Sequence, residues 1–392
     1  MSGLCKALFM LKTVAFAIGM GLLTITTGQA QTFTTAAKQA LIMDYNSGTI
    51  LYQKNADERI PPASLAKLMA MEVVFHQLKS GSHTMEDKFL VSEDAWRRGG
   101  ANSGGSSMFA KLNSDIELGN LIRGVIIQSG NDAAIAIAEG LAGSEAGFAG
   151  LMNQRARAIG LRNSNFVNST GLPAEDQYVT MRDLGKLASH LIRTYPEYYP
   201  IYSEEEFTWG RIRQTNRNPL LGKVDGADGL KTGYTDASGY ALVGSAKQDD
   251  RRLIIAMSGL KSKRQRSTEA IKMMRWGFRA FRAVDLFKEG EVVGEAPVYG
   301  GEKSGVALTA NGPLTVFVPI GFRDRLKMEI VFDGPLMPPV ETGSQIARLE
   351  VSVDGKVSQE TPLFAAETVE QGGVTARAMD AFGEVVASWF RF

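Results

Sequence analysis

The chain has 392 residues, 43 Lys+Arg against 42 Asp+Glu, three histidines and one cysteine. That length suggests two or three domains, and 44% hydrophobic with 22% charged residues is ordinary globular composition. A net charge of +1 offers no basic excess for nucleic acid. The lone Cys5 excludes a disulfide framework, a CxxC redox pair and a cysteine-rich zinc site.

Residues 1–30 read as a signal peptide. Lys6 and Lys12 form a positive start, Thr13 to Ile25 an apolar core, and Gly28-Gln29-Ala30 a small-residue cleavage site. The apolar run is too short for a span of about 20 residues. Cleavage after Ala30 removes Cys5 and both lysines, taking the net charge from +1 to −1 and leaving no thiol nucleophile.

In chain order, Gln39 to Asp57 predicts a hairpin turning at Asn46-Ser47-Gly48. After Pro61-Pro62, the segment SLAKLMAMEVVFHQLKSG has helical periodicity and ends at Gly81. Residues 92–113 form a Gly/Ser-rich loop. The next helix is expected to be capped by Ser114 or Asp115, to break near Ser129-Gly130-Asn131 and to resume as far as Gly140. Helical patterns follow at Phe148 to Ile159 and Met181 to Tyr195. YALVGSA and RLIIAMSG predict a second hairpin, and STEAIKMMRWGFRAF a closing helix. From about Asp285 short alternating runs (EVVGEAPVY, GVALTA, LTVFVPI, LKMEIVFDG, IARLEVSVDG, KVSQETPLF) predict a small antiparallel sandwich.

Three short motifs carry chemistry. Ser64 and Lys67 are three residues apart at a helix start, so the amine can reach the hydroxyl. A lysine in an apolar pocket has a lowered pKa and can take the serine's proton. Burial and the nearby cation Lys231 are the expected causes of that lowering. A second S-x-x-K, Ser258 to Lys261, falls at a strand end. Ser129-Gly130-Asn131 is the single S-x-N, at a break between helical runs. Lys231-Thr232-Gly233 is the single K-T-G and opens a strand. There Gly233 permits close backbone approach, while Lys231 and Thr232 offer a cation and a hydroxyl to a carboxylate.

With these motifs in this order, the sequence resembles the low-molecular-mass penicillin-binding proteins that act as D-alanyl-D-alanine carboxypeptidases. The resemblance runs through LIMDYNSGTILYQKNADERIPPASLAKLM, LIRGVIIQSGNDAAIAIAE, RQTNRNPLL, VDGADGLKTGYTDASGYALVGSA and RWGFRAF. It implies that Ser64 is the acyl-forming nucleophile, Lys67 its base and Ser129 a proton relay to the leaving amine. Asn131 would hold the substrate amide. Lys231 and Thr232 would bind the terminal carboxylate together with Arg266, whose near neighbour is Arg264. The oxyanion would sit on the backbone N–H groups of Ser64 and Tyr234. Family members often carry histidine where this chain has Tyr234, which leaves open a proton-shuttling role for that side chain.

The expected fold is α+β: a penicillin-binding, serine β-lactamase-like domain with an inserted helical lobe over 31–283, then an all-β sandwich over 284–370. The expected reaction removes the terminal D-alanine from peptidoglycan stem pentapeptides without metal or cofactor, with β-lactam antibiotics as covalent ligands. A D,D-endopeptidase shares these motifs. A class A β-lactamase would need an E-x-x-x-N segment, which is missing, and would not need residues 285–392. Residues 374–392 read as an amphipathic helix that anchors the periplasmic enzyme to the outer face of the inner membrane. Met379, Phe382, Val385, Val386, Trp389 and Phe390 lie on one side of a helical wheel, and Arg377, Asp380, Glu384, Ser388 and Arg391 on the other.

Overall fold

The structure is a computed structural model that describes residues 33–319, 326–353 and 355–373. The segments read from the sequence as a signal peptide (1–30) and an amphipathic helix (374–392) lie outside the described residues. The chain divides into two compact units, Phe33–Arg279 and a second beginning at Ala280.

In chain order the first unit contains β1 (Gln39–Asp44), β2 (Ile50–Lys54), α1 (Ala66–Lys79), β3 (Lys88–Leu90) and β4 (Asp115–Glu117). It continues with α2 (Leu118–Ile126), α3 (Asn131–Ala142), α4 (Glu145–Ala158), α5 (Met181–Thr194), β5 (Glu206–Trp209) and β6 (Ile212–Thr215). Then come β7 (Ala227–Thr235), β8 (Gly239–Gln248), β9 (Arg251–Leu260) and α6 (Lys263–Ala280). A five-stranded antiparallel sheet runs β2-β1-β9-β8-β7, so strands from both ends of the unit pair at β1–β9. β9 sits between neighbours, and its apolar run Leu253–Met257 is fully buried.

Both faces of this sheet are covered. Adjacent strand residues point to opposite faces. At Gly185 of α5 a Cβ would lie 2.6 Å from Leu41, and at Gly277 of α6 one would lie 3.2 Å from the next residue, Ile42. α5 and α6 therefore pack on opposite sides, each seated by a glycine. α1 is buried almost all round, from Ala66 to Phe75 and at Leu78, as befits a helix running through the core. Helices α2, α3 and α4 form the lobe inserted between the two groups of strands, and Leu121, Ile135 and Phe148 belong to the same continuous core.

Several boundaries differ from the sequence expectation. β7 begins at Ala227, so Lys231-Thr232-Gly233 lies inside the strand rather than opening it, and the units divide after Arg279 rather than after residue 283. Neither Ser114 nor Asp115 caps a helix. Ser114 Oγ donates to the Lys111 carbonyl at 2.6 Å, Asp115 opens β4, and α2 starts at Leu118. Gly140 does not end α3 but lies within it, against the ring of Phe89, where a Cβ would come within 2.5 Å. The stop is Gly143, whose φ of +71° is the left-handed C-cap conformation.

The second unit contains β10 (Phe281–Phe287), β11 (Val292–Pro297), β12 (Gly305–Thr309), β13 (Leu314–Pro319), β14 (Leu326–Val331), β15 (Gln345–Val353) and β16 (Lys356–Ala365). A five-stranded sheet β11-β12-β16-β15-β14 and the pair β10–β13 share a core that includes Val306, Leu308, Val316, Val351 and Leu363. Glu370 and Gly372 bond to Glu302 and Gly300, so this unit extends past residue 370.

Candidate active site

Ser64 occupies a single 3-10 turn, Ala63–Leu65, immediately before α1. Ala63 precedes it with φ +49°, a left-handed conformation that an L residue adopts only when its surroundings hold it there. Those surroundings are close on two sides. A Cβ on Gly171 would come within 1.7 Å of the Ala63 carbonyl oxygen, and one on Gly233 within 3.2 Å of the side chains of Ala63 and Leu65. Gly233 thus lets edge strand β7 lie directly against the serine turn.

Lys67, one turn after Ser64 at the start of α1, is completely buried while Ser64 remains partly accessible. Its Nζ lies 3.2 Å from Ser64 Oγ, 2.7 Å from Asn131 Oδ1 and 2.8 Å from the Thr170 carbonyl oxygen. Burial, and then the cation Arg217, pull its pKa down to about 7. Arg217, not foreseen from the sequence, thus joins Lys231, whose mutual repulsion with Lys67 was expected from it. A neutral amine has two N–H donors and one lone pair. The two short contacts are to pure acceptors, so the donors go to Asn131 and Thr170. The lone pair is left for the hydroxyl proton of Ser64.

Asn131 begins α3, and Ser129 sits in the break before it with φ +59°. Neighbouring Asp132 fixes this break. Its carboxylate accepts from Ser107 Oγ at 2.6 Å and from the backbone N–H groups of Met108 and Ala110 at 2.9 and 3.0 Å. The Asn131 N–H in turn donates to the Ser106 carbonyl at 2.7 Å. On the opposite wall, Lys231 Nζ donates to Ser129 Oγ at 2.7 Å and to the Thr232 carbonyl at 3.1 Å. Burial and the cations Lys67, Arg217 and Arg266 push the pKa of Lys231 well down.

Arg266, in the first turns of α6, is 8% exposed and points at β7, where Nη1 lies 3.5 Å from the Gly233 carbonyl. Burial lowers its pKa to about 10, so it remains a cation at neutral pH. Arg264 is exposed. Thr232, 6% exposed, adjoins Lys231 on the same strand. Tyr234 is half exposed and its ring lies tilted against that of Tyr240, with centroids 4.3 Å apart. Its hydroxyl donates to Asp236 Oδ1 at 2.6 Å, a bond that raises the phenol's pKa and commits its proton. The other S-x-x-K is built differently. Ser258 is fully buried in β9 with Oγ donating to Gln39 at 2.7 Å, and Lys261 is exposed.

The structure brings Ser64, Lys67, Ser129, Asn131, Lys231, Thr232, Gly233 and Arg266 to one cleft, with Tyr234 at its rim. Sequence reasoning did not single out Thr170, Arg217 or Asp132. Thr170 contributes only a backbone oxygen, which leaves no mark in a sequence. Arg217 sits in the segment Arg213-Gln214-Thr215-Asn216-Arg217-Asn218, and Asp132 directly follows the S-x-N motif.

A serine turn backed by a buried lysine, a serine-bearing helix break and a Lys-Thr-Gly edge strand define a penicillin-binding serine acyl hydrolase. The chain belongs to the D-alanyl-D-alanine carboxypeptidase family, whose sequence profile matches residues 25–261. The profile of the penicillin-binding protein 5 C-terminal domain matches residues 281–371. D-alanyl-D-alanine carboxypeptidase DacC of Escherichia coli is 41% identical over 361 residues, covering 90% of each chain. The crystal structure of penicillin binding protein 5 from Haemophilus influenzae superposes with a TM-score of 0.73 at 37% identity, covering 86% of this chain and 98% of that one. Penicillin-binding protein D2 of Listeria monocytogenes, in its ampicillin-bound form, has a TM-score of 0.55 at 28% identity over 63% of this chain and 99% of that one. The protein is a serine-type D-alanyl-D-alanine carboxypeptidase rather than an endopeptidase or a β-lactamase.

Proposed function

We propose that Ser64 is the nucleophile of this carboxypeptidase and Lys67 its general base. The observation that carries the assignment is the contact of Lys67 Nζ with Ser64 Oγ, while Asn131 and Thr170 take the amine's donors. In the first step the Ser64 proton moves to Lys67 Nζ and Oγ bonds to the penultimate D-alanine's carbonyl carbon. Charge on the carbonyl oxygen is met by the backbone N–H groups of Ser64 and Tyr234. The C–N bond then breaks, and Ser129 passes a proton to the departing amine of the terminal D-alanine, replenished from Lys231 2.7 Å away. Asn131 holds the substrate amide, and Lys231, Thr232 and Arg266 hold the free carboxylate. The proton on Lys67 then passes by way of Ser129 back to Lys231. Water attacks the Ser64 ester, Lys67 taking the water's proton and giving it to Ser64 Oγ as the ester C–O bond breaks. The stem peptide leaves one residue shorter and the serine is restored.

A β-lactam enters the same path, since its amide and carboxylate occupy equivalent places. Its ring nitrogen remains tethered, so the ester persists. Intact mass after incubation with penicillin tests the assignment. A single adduct is expected in the native protein, none in Ser64→Ala, and the full adduct in Ser258→Ala. Adduct on Ser64→Ala would defeat it.

Three further features complete the reading. Residues 1–30 direct export, the units on either side of the Arg279/Ala280 boundary act as the catalytic and accessory domains, and 374–392 holds the enzyme on the outer face of the inner membrane. The last rests on the apolar stripe from Met379 to Phe390. Among the described residues no helix is long and apolar enough to cross a membrane.

A further inference from the structure

The peptide that receives Lys67 has its own anchor. Ser169 and Thr170 are 0% and 1% exposed, and Thr170 presents its carbonyl to Lys67 Nζ. One residue back, the N–H and Oγ of Ser169 both donate to Glu145 Oε1, at 3.1 and 2.7 Å. Glu145 opens α4 with its side chain 11% exposed. Its other oxygen, Oε2, accepts from Arg98 Nη2 at 2.8 Å, and Arg98 Nη1 reaches Asp94 at 2.8 Å. One residue forward, Gly171 presses on the Ala63 carbonyl beside the nucleophile, and its N–H donates to Asn168 Oδ1 at 2.7 Å. The 169–171 segment is thus clamped between the nucleophile turn and a single carboxylate on another helix.

We infer that Glu145 is a positioning residue for the general base. Through the Ser169–Thr170 peptide it fixes the acceptor of Lys67, and its charge, moderated by Arg98, adjusts the pH at which Lys67 can act. The inference rests on the assignment of Lys67 as base. Glu145 does not touch the reacting atoms; its oxygens are occupied by Ser169 and Arg98.

The charges around Lys67 decide the sign. Arg217, from the segment before β7, and Lys231, on β7, oppose a proton on Lys67. Asp132 on α3 and Glu145 on α4 favour one. Asp132 is already bound to the 107–110 segment, and Ser64 and Asn131 are neutral. Arg98 partly cancels Glu145. Glu145 and Arg98 therefore form an adjustable pair: removing the carboxylate makes Lys67 easier to deprotonate, and removing the guanidinium makes it harder.

The test is the second-order rate of acylation by a fluorescent penicillin between pH 5 and 10, on the full mature chain, with thermal melting as the control for folding. Glu145→Gln retains an oxygen for Ser169 but loses the charge. Its acid limb should move to lower pH by about half a unit or more, with a plateau within about threefold of native. Arg98→Gln should move the limb the other way. Opposite shifts in two folded variants are not produced by loosened packing. An unmoved limb in either folded variant, or shifts of the same sign, overturns the inference, and if Glu145→Gln fails to fold, Arg98→Gln alone decides it. Lys67→Arg run beside them separates the two claims. If it keeps the native rate and profile, the base assignment falls and the inference with it. If it loses acylation while the other limbs stay fixed, only the inference falls.

Discussion

Lys231 donates to Ser129 across 2.7 Å, joining the edge strand of the sheet to the break between α2 and α3. Both residues are almost wholly buried, at 3% and 2% exposure. That single bond draws two parts of the chain about a hundred residues apart onto opposite walls of one cleft. It also gathers positive charge, since Lys67, Arg217 and Arg266 all act to lower the pKa of Lys231. Such a field is completed by an anion, and the free carboxylate of a terminal D-alanine supplies one.

Recognition of that carboxylate is the first prediction. Charge-assisted hydrogen bonds are worth about 1.5–3 kcal/mol each. Amidating the C-terminus of an acyl-D-alanyl-D-alanine substrate should therefore lower kcat/KM by about 10- to 150-fold. Substitutions near the other end of the peptide should matter far less. Equal turnover of acid and amide, measured as released D-alanine or its amide, would contradict the carboxylate pocket.

The pH dependence of acylation follows from Lys67. Its pKa of about 7 lies far below the ordinary lysine value, because burial and Arg217 disfavour the cation. The neutral amine is the competent form, so the acylation rate should rise with pH and level off above a midpoint near 7. Linkage has the same direction. Between about pH 7 and 10.4 the unfolded lysine binds a proton that the folded one does not, so this group's contribution to stability increases with pH over that window. Lys67→Arg cannot deprotonate and should lose about 10²–10⁴-fold in acylation at every pH up to 9. A loss below tenfold would reject Lys67 as base.

A buried charge cluster behind the nucleophile helix predicts a stability effect instead. Glu72 of α1 has no exposed side-chain surface, and Oε1 receives Arg155 Nη2 at 2.7 Å and Tyr195 Oη at 3.1 Å. His190 Nε2 stands 3.4 Å away. Burial alone would raise the carboxyl's pKa, but His190 and Arg155 outweigh it and hold it below the usual value. Glu72 therefore adds stability above the ordinary carboxyl range, and that contribution fades as pH falls below it. Glu72→Ala leaves Arg155 and Tyr195 without their acceptor and should cost about 3–5 kcal/mol at pH 7. Denaturant unfolding that gave a loss under about 1 kcal/mol would mean that water or a rearranged side chain replaces the carboxylate.

What could be read from the sequence was whatever local pattern decides. Ser64 and Lys67 are visible because i and i+3 meet on a helix, and β8 and β9 because buried central strands are continuous apolar runs. β4 is not visible, since Asp115-Ile116-Glu117 is too short to show alternation and pairs only with the equally short β3. Nor was the helix stop at Gly143 separable from Gly140 by composition. The choice rests on Phe89, which needs the space beside Gly140. Glu145 belongs to none of the quoted motifs, and Arg217 stands in RQTNRNPLL with nothing local to mark its role. Their relation to Lys67 exists only once β7, α4 and the 169–171 segment have come together.

The last prediction concerns residues 374–392, which lie outside the described structure. Met379, Phe382, Val385, Val386, Trp389 and Phe390 share one side of a helical wheel. A stripe with Trp and Phe suits the boundary between headgroups and acyl chains, while the charges opposite prevent a span. Arg377 and Arg391 balance Asp380 and Glu384, so attachment should depend on apolar burial and hardly on salt or anionic lipid. The structure also sets where a truncation must fall. Gly372 N–H donates to the Gly300 carbonyl at 3.0 Å, and Glu302 N–H to the Glu370 carbonyl at 2.9 Å, so a cut after Glu370 would remove part of the sandwich. Ending the chain after Gly373 keeps both bonds. The full mature chain should sediment with zwitterionic vesicles at low and high salt. The truncated chain should remain in the supernatant, melt at the same temperature and acylate with penicillin at an unchanged rate. A full-length chain that ignores vesicles, or a truncation that lowers the melting temperature by several degrees, would make this segment a packing element of the protein and remove the membrane from the account.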